Sequence, residues 1–537
     1  MKTIGTLLIT FLLTVNLFAS SLVVTSDLTT DAVWDVDTVL INKEGIEIME
    51  GARLTIASGT HIIFNKSISF ITVKGTITAS GTVDDSIRIT RLNPANSWTG
   101  IRLVPRSRES GKLDSSFFRF CVLRNTVFSS SEVLYKTQGT TLHCGAGNYI
   151  SLKNCSITDS YGDIGGAVYC DSGSVVDIED CYFAHNLNNR NGTVSGGGAI
   201  MTSEKGSATL FVQNCRFEHN SARTGGAVRI GRNSKVEFNN CVFYSDTTLS
   251  INASIGDIRG GALAIFGPTD VTLRNCIIFD CKSYDRGGGI YCSDASLKLI
   301  NCTIVNNSSF YGGGIFFGHD SSASSPVLIN TIEGGNGTLA RLTRDSAGCG
   351  IFLDSAVTPS FRYCQMYDTV YDHTIKPYQG VFTGSRVYHT KFVATMHLSG
   401  IPDTVVEGFQ LFSLFGVGDP AINGGDPDTS GLGLPEYDLL GKRRINGAAI
   451  DIGAMEFYGE IISSEQNARN RKQHLLSPAP GELTVYSLQG QKVGSFSGVF
   501  SSQSIQRFVH RKLPQGIYVV TFGRYGQIAW SKQIFVK

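Results

Sequence analysis

Apolar and polar residues alternate in short runs along much of the chain, as in Leu54-Thr55-Ile56-Ala57 and Ile71-Thr72-Val73-Lys74, with Gly-Thr corners between them. Alternation over a few residues, punctuated by glycine, predicts short strands joined by tight turns. From about residue 115 the pattern becomes a repeat. An apolar strand is followed by Asn-Cys, or a near equivalent, and then by an aromatic residue or Ile two positions on. Examples are Leu152-Lys153-Asn154-Cys155-Ser156-Ile157, Val212-Gln213-Asn214-Cys215-Arg216-Phe217 and Leu299-Ile300-Asn301-Cys302-Thr303-Ile304. Between these lies a glycine pair, a small residue and an apolar strand, as in Gly165-Gly166-Ala167-Val168 and Gly225-Gly226-Ala227-Val228.

The spacing predicts the architecture. Marker positions fall at 121, 155, 181, 215, 241, 276, 302, 331 and 364. Each interval holds two or three short strands, which fits one coil of a parallel β-helix. A leucine-rich repeat needs a Leu/Asn frame, and a propeller blade is longer. Equivalent residues then stack at the inter-strand spacing of ~4.8 Å. Inward Cys, Ile and Phe columns make a dry core, corner Asn columns chain amide hydrogen bonds, and glycine pairs supply corners with positive φ or close packing. The marker-to-glycine interval is long at 181→196, 241→260 and 331→348, always at the same corner. Loops gathered on one face of a solenoid are where binding is expected. The candidate ligand-binding residues there are Arg190, Asp246, Asp257, Arg259, Arg344 and Asp345, with Asn188, Asn189, Asn191 and Arg341 beside them.

Composition changes the picture little. The chain has 537 residues, 46 Lys+Arg against 45 Asp+Glu, and a net charge of +1, so no nucleic-acid partner is expected. The 60 glycines beside 13 prolines fit β-structure with many corners. Lys2, the apolar run from Leu7 to Phe18 and Ala19-Ser20-Ser21 read as a signal peptide over 1–20. No later run is long and apolar enough for a transmembrane helix, so none is expected in the mature chain.

Thirteen cysteines in an exported chain suggest disulfides, but their positions argue for buried thiols. Cys121, Cys155, Cys181, Cys215, Cys241, Cys276, Cys302 and Cys364 share one repeat position, and Cys144, Cys170 and Cys292 another. Stacked Cβ vectors are parallel, which is poor disulfide geometry. The one-coil spacing is not that of a zinc site, and no metal is expected there. No cofactor is required. Calcium is the cation to consider, at Asn423-Gly424-Gly425-Asp426-Pro427-Asp428, although the same residues make a plain turn. His185 and His219 share a repeat position, an imidazole pair for a sugar or a metal if they are not simply surface histidines.

The frames Phe183-Ala184-His185-Asn186 … Gly197-Gly198-Ala199-Ile200 and Phe217-Glu218-His219-Asn220 … Gly225-Gly226-Ala227-Val228 resemble the repeats of chlamydial polymorphic outer-membrane proteins. The resemblance covers roughly 115–365 and implies a right-handed parallel β-helix. It stops short of that family's outer-membrane barrel. Residues 21–114 read as an N-terminal cap and first coils, 115–400 as the β-helix repeats, and 401–458 as terminal coils or cap. The last rests on Asp438-Leu439-Leu440-Gly441 … Ile450-Asp451-Ile452-Gly453-Ala454-Met455-Glu456, which resembles a motif closing exported β-helices. A polar linker follows over 459–481. Leu483-Thr484-Val485-Tyr486-Ser487-Leu488-Gln489-Gly490, Leu513-Pro514-Gln515-Gly516-Ile517-Tyr518 and Ser531-Lys532-Gln533-Ile534-Phe535-Val536-Lys537 resemble the type IX secretion sorting domain of Bacteroidota over 482–537.

The expected fold class is therefore all-β, a right-handed parallel β-helix with a small C-terminal β-sandwich. The resemblance implies export through the type IX machinery to the medium or cell surface. Two functions follow. One is a non-catalytic adhesin or glycan-binding scaffold for a polysaccharide or cell-surface ligand. The other is a polysaccharide lyase or hydrolase using the long-loop face as its cleft, for which no catalytic motif is visible.

Overall fold

The computed structural model describes residues 20–66, 68–94, 97–105, 114–126, 141–162, 165–188, 196–249, 258–319, 324–339, 350–366, 378, 380–387, 419–439, 443–445, 449–456, 479–487, 492–500, 516–524 and 527–536. For the last four stretches the backbone alone is described. Three long parallel sheets of 14, 11 and 13 strands run through residues 21–387, and each strand pairs with its counterpart one coil away. Successive strands in the chain go to different sheets, which makes a parallel β-helix. No helix occurs among the described residues. The solenoid starts at once: Ser21–Val24, Ala32–Trp34 and Gly45–Ile48 are already edge strands of the three sheets, so coils rather than a separate cap occupy the described N-terminal residues.

Register turns sequence repetition into columns. Ile157, Phe183, Phe217, Phe243, Ile278 and Ile304 lie on adjacent strands of the fourteen-stranded sheet. They point inward, and the Phe183, Phe217 and Phe243 rings stack at centroid distances of 5.1 and 4.7 Å. The described cysteines are free and buried. They hydrogen-bond along their column, with the Cys155 and Cys181 amides donating to the next Sγ at 3.4 Å. Twelve apolar thiols in the core need no oxidation to pack.

The corners explain the rest of the marker. Asn154, Asp180, Asn214, Asn240, Asn275, Asn301 and Asn330 all sit near φ +50°, where a short polar side chain is tolerated best. Their side chains chain together: Asn240 donates to Asn214 at 3.1 Å, Asn275 to Asn240 at 3.0 Å and Asn330 to Asn301 at 3.1 Å. The glycine pair divides its labour. Its first member is left-handed, as Gly225 at φ +63°. The second packs on the next coil: a Cβ on Gly226 would lie 2.1 Å from the Gly261 carbonyl oxygen.

One expectation changes. Residues 419–456 add no strand to the long sheets among the described residues; their contacts fall on the outer sides of the fourteen- and thirteen-stranded sheets. Asn301 Nδ2 donates to the Asp451 carbonyl at 3.0 Å, the Ala454 amide to Thr303 Oγ1 at 3.0 Å, and Arg274 Nε to the Leu432 carbonyl at 3.0 Å. Ala454 and Met455 pack on Val242, Ile277, Phe279 and Val305. The stretch thus straps a flank instead of closing an end, because those outward positions are apolar and would otherwise face water. Within it Arg444 is buried against Glu456, and burial pushes the Glu456 carboxyl up to about 8 despite the arginine. The C-terminal module is described by its backbone. Its strands Ala479–Ser487, Lys492–Phe500, Gly516–Arg524 and Gln527–Val536 form one antiparallel sheet, and a sandwich partner sheet is not among the described residues.

Candidate functional site

The strands that follow the glycine pairs are short. In Val168–Cys170 the outer two residues point into the core and the middle one points out. Register makes a single outward column of these middle residues: Arg102, His143, Tyr169, Met201, Arg229, Ala264, Tyr291, Phe316 and Phe352. A solvated strand face would carry short polar groups. This column carries cationic and aromatic side chains, and from His143 to Phe352 every member is buried.

A second row of cations stands beside it. Arg259 and Arg286 lie on adjacent coils at the corner before these strands. The Arg259 guanidinium sits 4.9 Å from the Tyr291 ring centre and donates to its hydroxyl at 2.8 Å. Arg286 lies 5.1 Å from the Phe316 ring, with Asp285 at 3.6 Å. Arg229 covers the Phe266 ring at 4.9 Å and is ion-paired to Glu204. An aromatic face attracts a guanidinium and helps to position it, and Arg229 and Arg286 each have a carboxylate partner as well.

At the N-terminal end of the column the chemistry sharpens. The His143 ring packs edge-on to Tyr169 at 5.1 Å. Its Nε2 is 3.8 Å from Asp171 Oδ2, too long for a hydrogen bond, and neither ring nitrogen has a partner. Burial favours the neutral imidazole, with Arg102 adding to that push and Asp171 opposing it. Burial likewise raises Tyr169 above the ordinary phenol range, so it keeps its proton.

The residues expected to bind ligand fare unevenly. Arg259 is on this face. Arg190, Asp257, Arg344 and Asp345 lie outside the described residues, as do Asn189, Asn191 and Arg341. The long insertions occupy 189–195, 250–257 and 340–349, each between a strand at Leu187–Asn188, Thr247–Thr248 or Gly337–Thr338 and the next outward-column strand. Asp246 is not a loop residue. It is 0% exposed and stands in an internal polar ladder with Asn186 and Asn220, because it lies three residues after Phe243 as they do after Phe183 and Phe217. In the 423–428 turn, Asp426 accepts the Asp428 amide at 3.0 Å and pairs with Arg362, so this carboxylate is engaged within the protein. Arg102, His143, Tyr169, Arg229 and Tyr291 were not anticipated. For Tyr169, Arg229 and Tyr291 the signal was the fourth residue after the first glycine of the pair, large or cationic where a short polar one would suffice; Arg102 and His143 follow no glycine pair.

Residues 76–256 match the family described as the right-handed β-helix region. With the three parallel sheets, this defines an all-β protein of the right-handed parallel β-helix class. No curated protein matches the chain. Among solved structures, an alginate lyase, AlyF-OU02, in complex with G6 is similar at 11% identity with a TM-score of 0.32, covering 70% of this chain and 84% of that one.

Proposed function

We propose that the chain is an exported, surface-held or secreted scaffold that binds an acidic polysaccharide along the long-loop face. The observation that carries this reading is the pair of half-buried arginines, Arg259 and Arg286, on adjacent coils, each over a buried ring of the outward column, Tyr291 and Phe316. A sugar carboxylate or sulfate meets a guanidinium in bidentate geometry, and the buried rings beneath hold the two guanidinium groups in place. A row at fixed spacing suits a repeating polymer more than a small molecule, since each weak contact is multiplied along the chain. The leader and the resemblance of 482–537 to type IX sorting domains support export by that route.

A second reading is a lyase at the same face. It is favoured by the buried His143 imidazole, which makes no hydrogen bond, beside the buried Tyr169 and next in register to Arg102. A base, an acid and a carboxylate-neutralising cation are what β-elimination from a uronate needs. The two readings separate on one experiment. The purified whole chain is incubated with carboxylated, sulfated and neutral polysaccharides, with calcium and with EDTA. Retention without cleavage supports the scaffold, and unsaturated product that vanishes in His143→Ala supports the lyase. Neither retention nor product on any acidic polymer rejects both.

A further inference from the structure

His185 and His219 hold equivalent corner positions on adjacent coils of the fourteen-stranded sheet. The His185 amide donates to the Glu218 carbonyl and the His219 amide to the Tyr244 carbonyl, both at 3.1 Å, which sets the register. Both backbones are left-handed, at φ 54° and 52°. On other coils the same corner carries Asn125, Asp159, Asp280 and Asn306, residues that accept this conformation readily. Ser245 holds the same corner on the next coil, and histidine also accepts this conformation, so the backbone permits the pair without requiring it.

The two exposed imidazoles stack with centroids 5.3 Å apart and planes 13° from parallel. Glu218 Oε1 lies 3.6 Å from His219 Nε2. Glu218 is itself fixed, since its Oε2 accepts the Tyr182 hydroxyl at 2.9 Å and pairs with Arg216 at 2.9 Å. Around the pair stand Asp159, which accepts the Thr158 hydroxyl at 2.8 Å, and Asp280, which accepts the Ser245 hydroxyl at 2.5 Å. Neutral imidazole is the form that ligates metals.

We infer that His185 and His219 form a two-imidazole clasp for a borderline divalent transition cation, with Glu218 in reach as a third donor and water completing the shell. Imidazole with carboxylate selects copper, nickel or zinc over calcium and magnesium, and the usual order of affinities puts copper first. Among the described residues no three ligating side chains already converge on one point. Binding therefore turns the exposed rings about their side-chain bonds so that both nitrogens face one ion, a rotation that surface side chains make readily. The site lies on a different sheet from the outward column and stands or falls independently of it.

The test titrates the untagged whole chain with copper(II) and nickel(II) chloride alone, by calorimetry, and records the copper electron paramagnetic resonance spectrum. The chain has ten histidines, so assignment rests on His185→Asn and His219→Asn, substitutions at home at a left-handed φ. We expect a site with two nitrogen ligands, copper bound more tightly than nickel, at least a tenfold loss in each variant and one nitrogen lost from the spectrum. Unchanged copper affinity in both variants, or a spectrum without a nitrogen pair, overturns the assignment.

Discussion

Asp246 is a carboxyl group standing where the fold uses an amide, and Asp246→Asn tests the register that puts it there. On the coils before it, Asn186 and Asn220 each turn Nδ2 to a main-chain carbonyl, Ile157 at 3.0 Å and Phe183 at 3.1 Å. Farther along, Asn307 and Asn336 do the same to Ile278 and Ile304, both at 3.0 Å. Asp246 Oδ1 accepts the Asn220 amide at 2.8 Å and its Nδ2 at 2.9 Å, but Oδ2, in the place of the missing NH₂, has no partner. Burial drives the Asp246 carboxyl well above the usual carboxylate range, outweighing the two donors from Asn220. A proton on Oδ2 then plays the part of the amide hydrogen. The folded pKa lies above the unfolded one, so between them the native state binds one proton more than the unfolded chain. Stability from this group is full below about pH 4 and is lost as pH rises towards the folded pKa, at about 1.4 kcal/mol per pH unit. Asn removes that slope and keeps the hydrogen bond, worth about 1 kcal/mol, at every pH. Urea unfolding of parent and variant at pH 5, 6, 7 and 8 reads the difference. It should widen in favour of Asn as pH rises. A constant gap, or a parent more stable at pH 8, would refute the buried-ladder assignment.

Other consequences follow from the same columns. Gly226→Ala places a methyl 2.1 Å from the Gly261 carbonyl oxygen and 2.6 Å from the Thr247 nitrogen, both main chain, so a loss of more than about 2 kcal/mol is expected by chemical denaturation. Phe217→Ala removes the middle ring of the stack with Phe183 and Phe243 and should cost about 3–5 kcal/mol by the same assay. The buried thiols carry no cross-links among the described residues, so dithiothreitol should leave the melting temperature of the whole chain unchanged. Their pKa values support inertness: burial holds the Cys144, Cys292 and Cys364 thiols up near about 12, so these should react with a thiol reagent only after denaturant is added.

What was legible in the sequence was whatever repeats. Asn-Cys recurring once per coil gave the coil, the left-handed corner and the thiol column together, because one backbone conformation recurs at each. The Gly-Gly-Ala unit likewise carried both a positive φ and a contact too close for a side chain. The outward column was harder to see, since a single residue per coil faces out and varies between Tyr, Met, Arg, Ala and Phe. Asp246 was misplaced by interval length: it falls in the long 241→260 gap, yet its offset of three from Phe243 is that of Asn186 from Phe183. The strap over 419–456 lay beyond reach because its partners, Asn301 and Arg274, are some 150 residues away in the chain, and no local period encodes that contact.

The central claim is that the guanidinium and aromatic face binds acidic polymer. The most direct measurement is affinity electrophoresis of the whole chain in gels containing a polyuronate or a neutral glucan, comparing the parent with an Arg259→Ala, Arg286→Ala double variant. The account predicts retardation by the polyuronate alone, weakened by salt and lost in the double variant while its unfolding midpoint stays close to the parent's. Equal mobility in both gels, or retardation that survives the loss of both arginines, would contradict it.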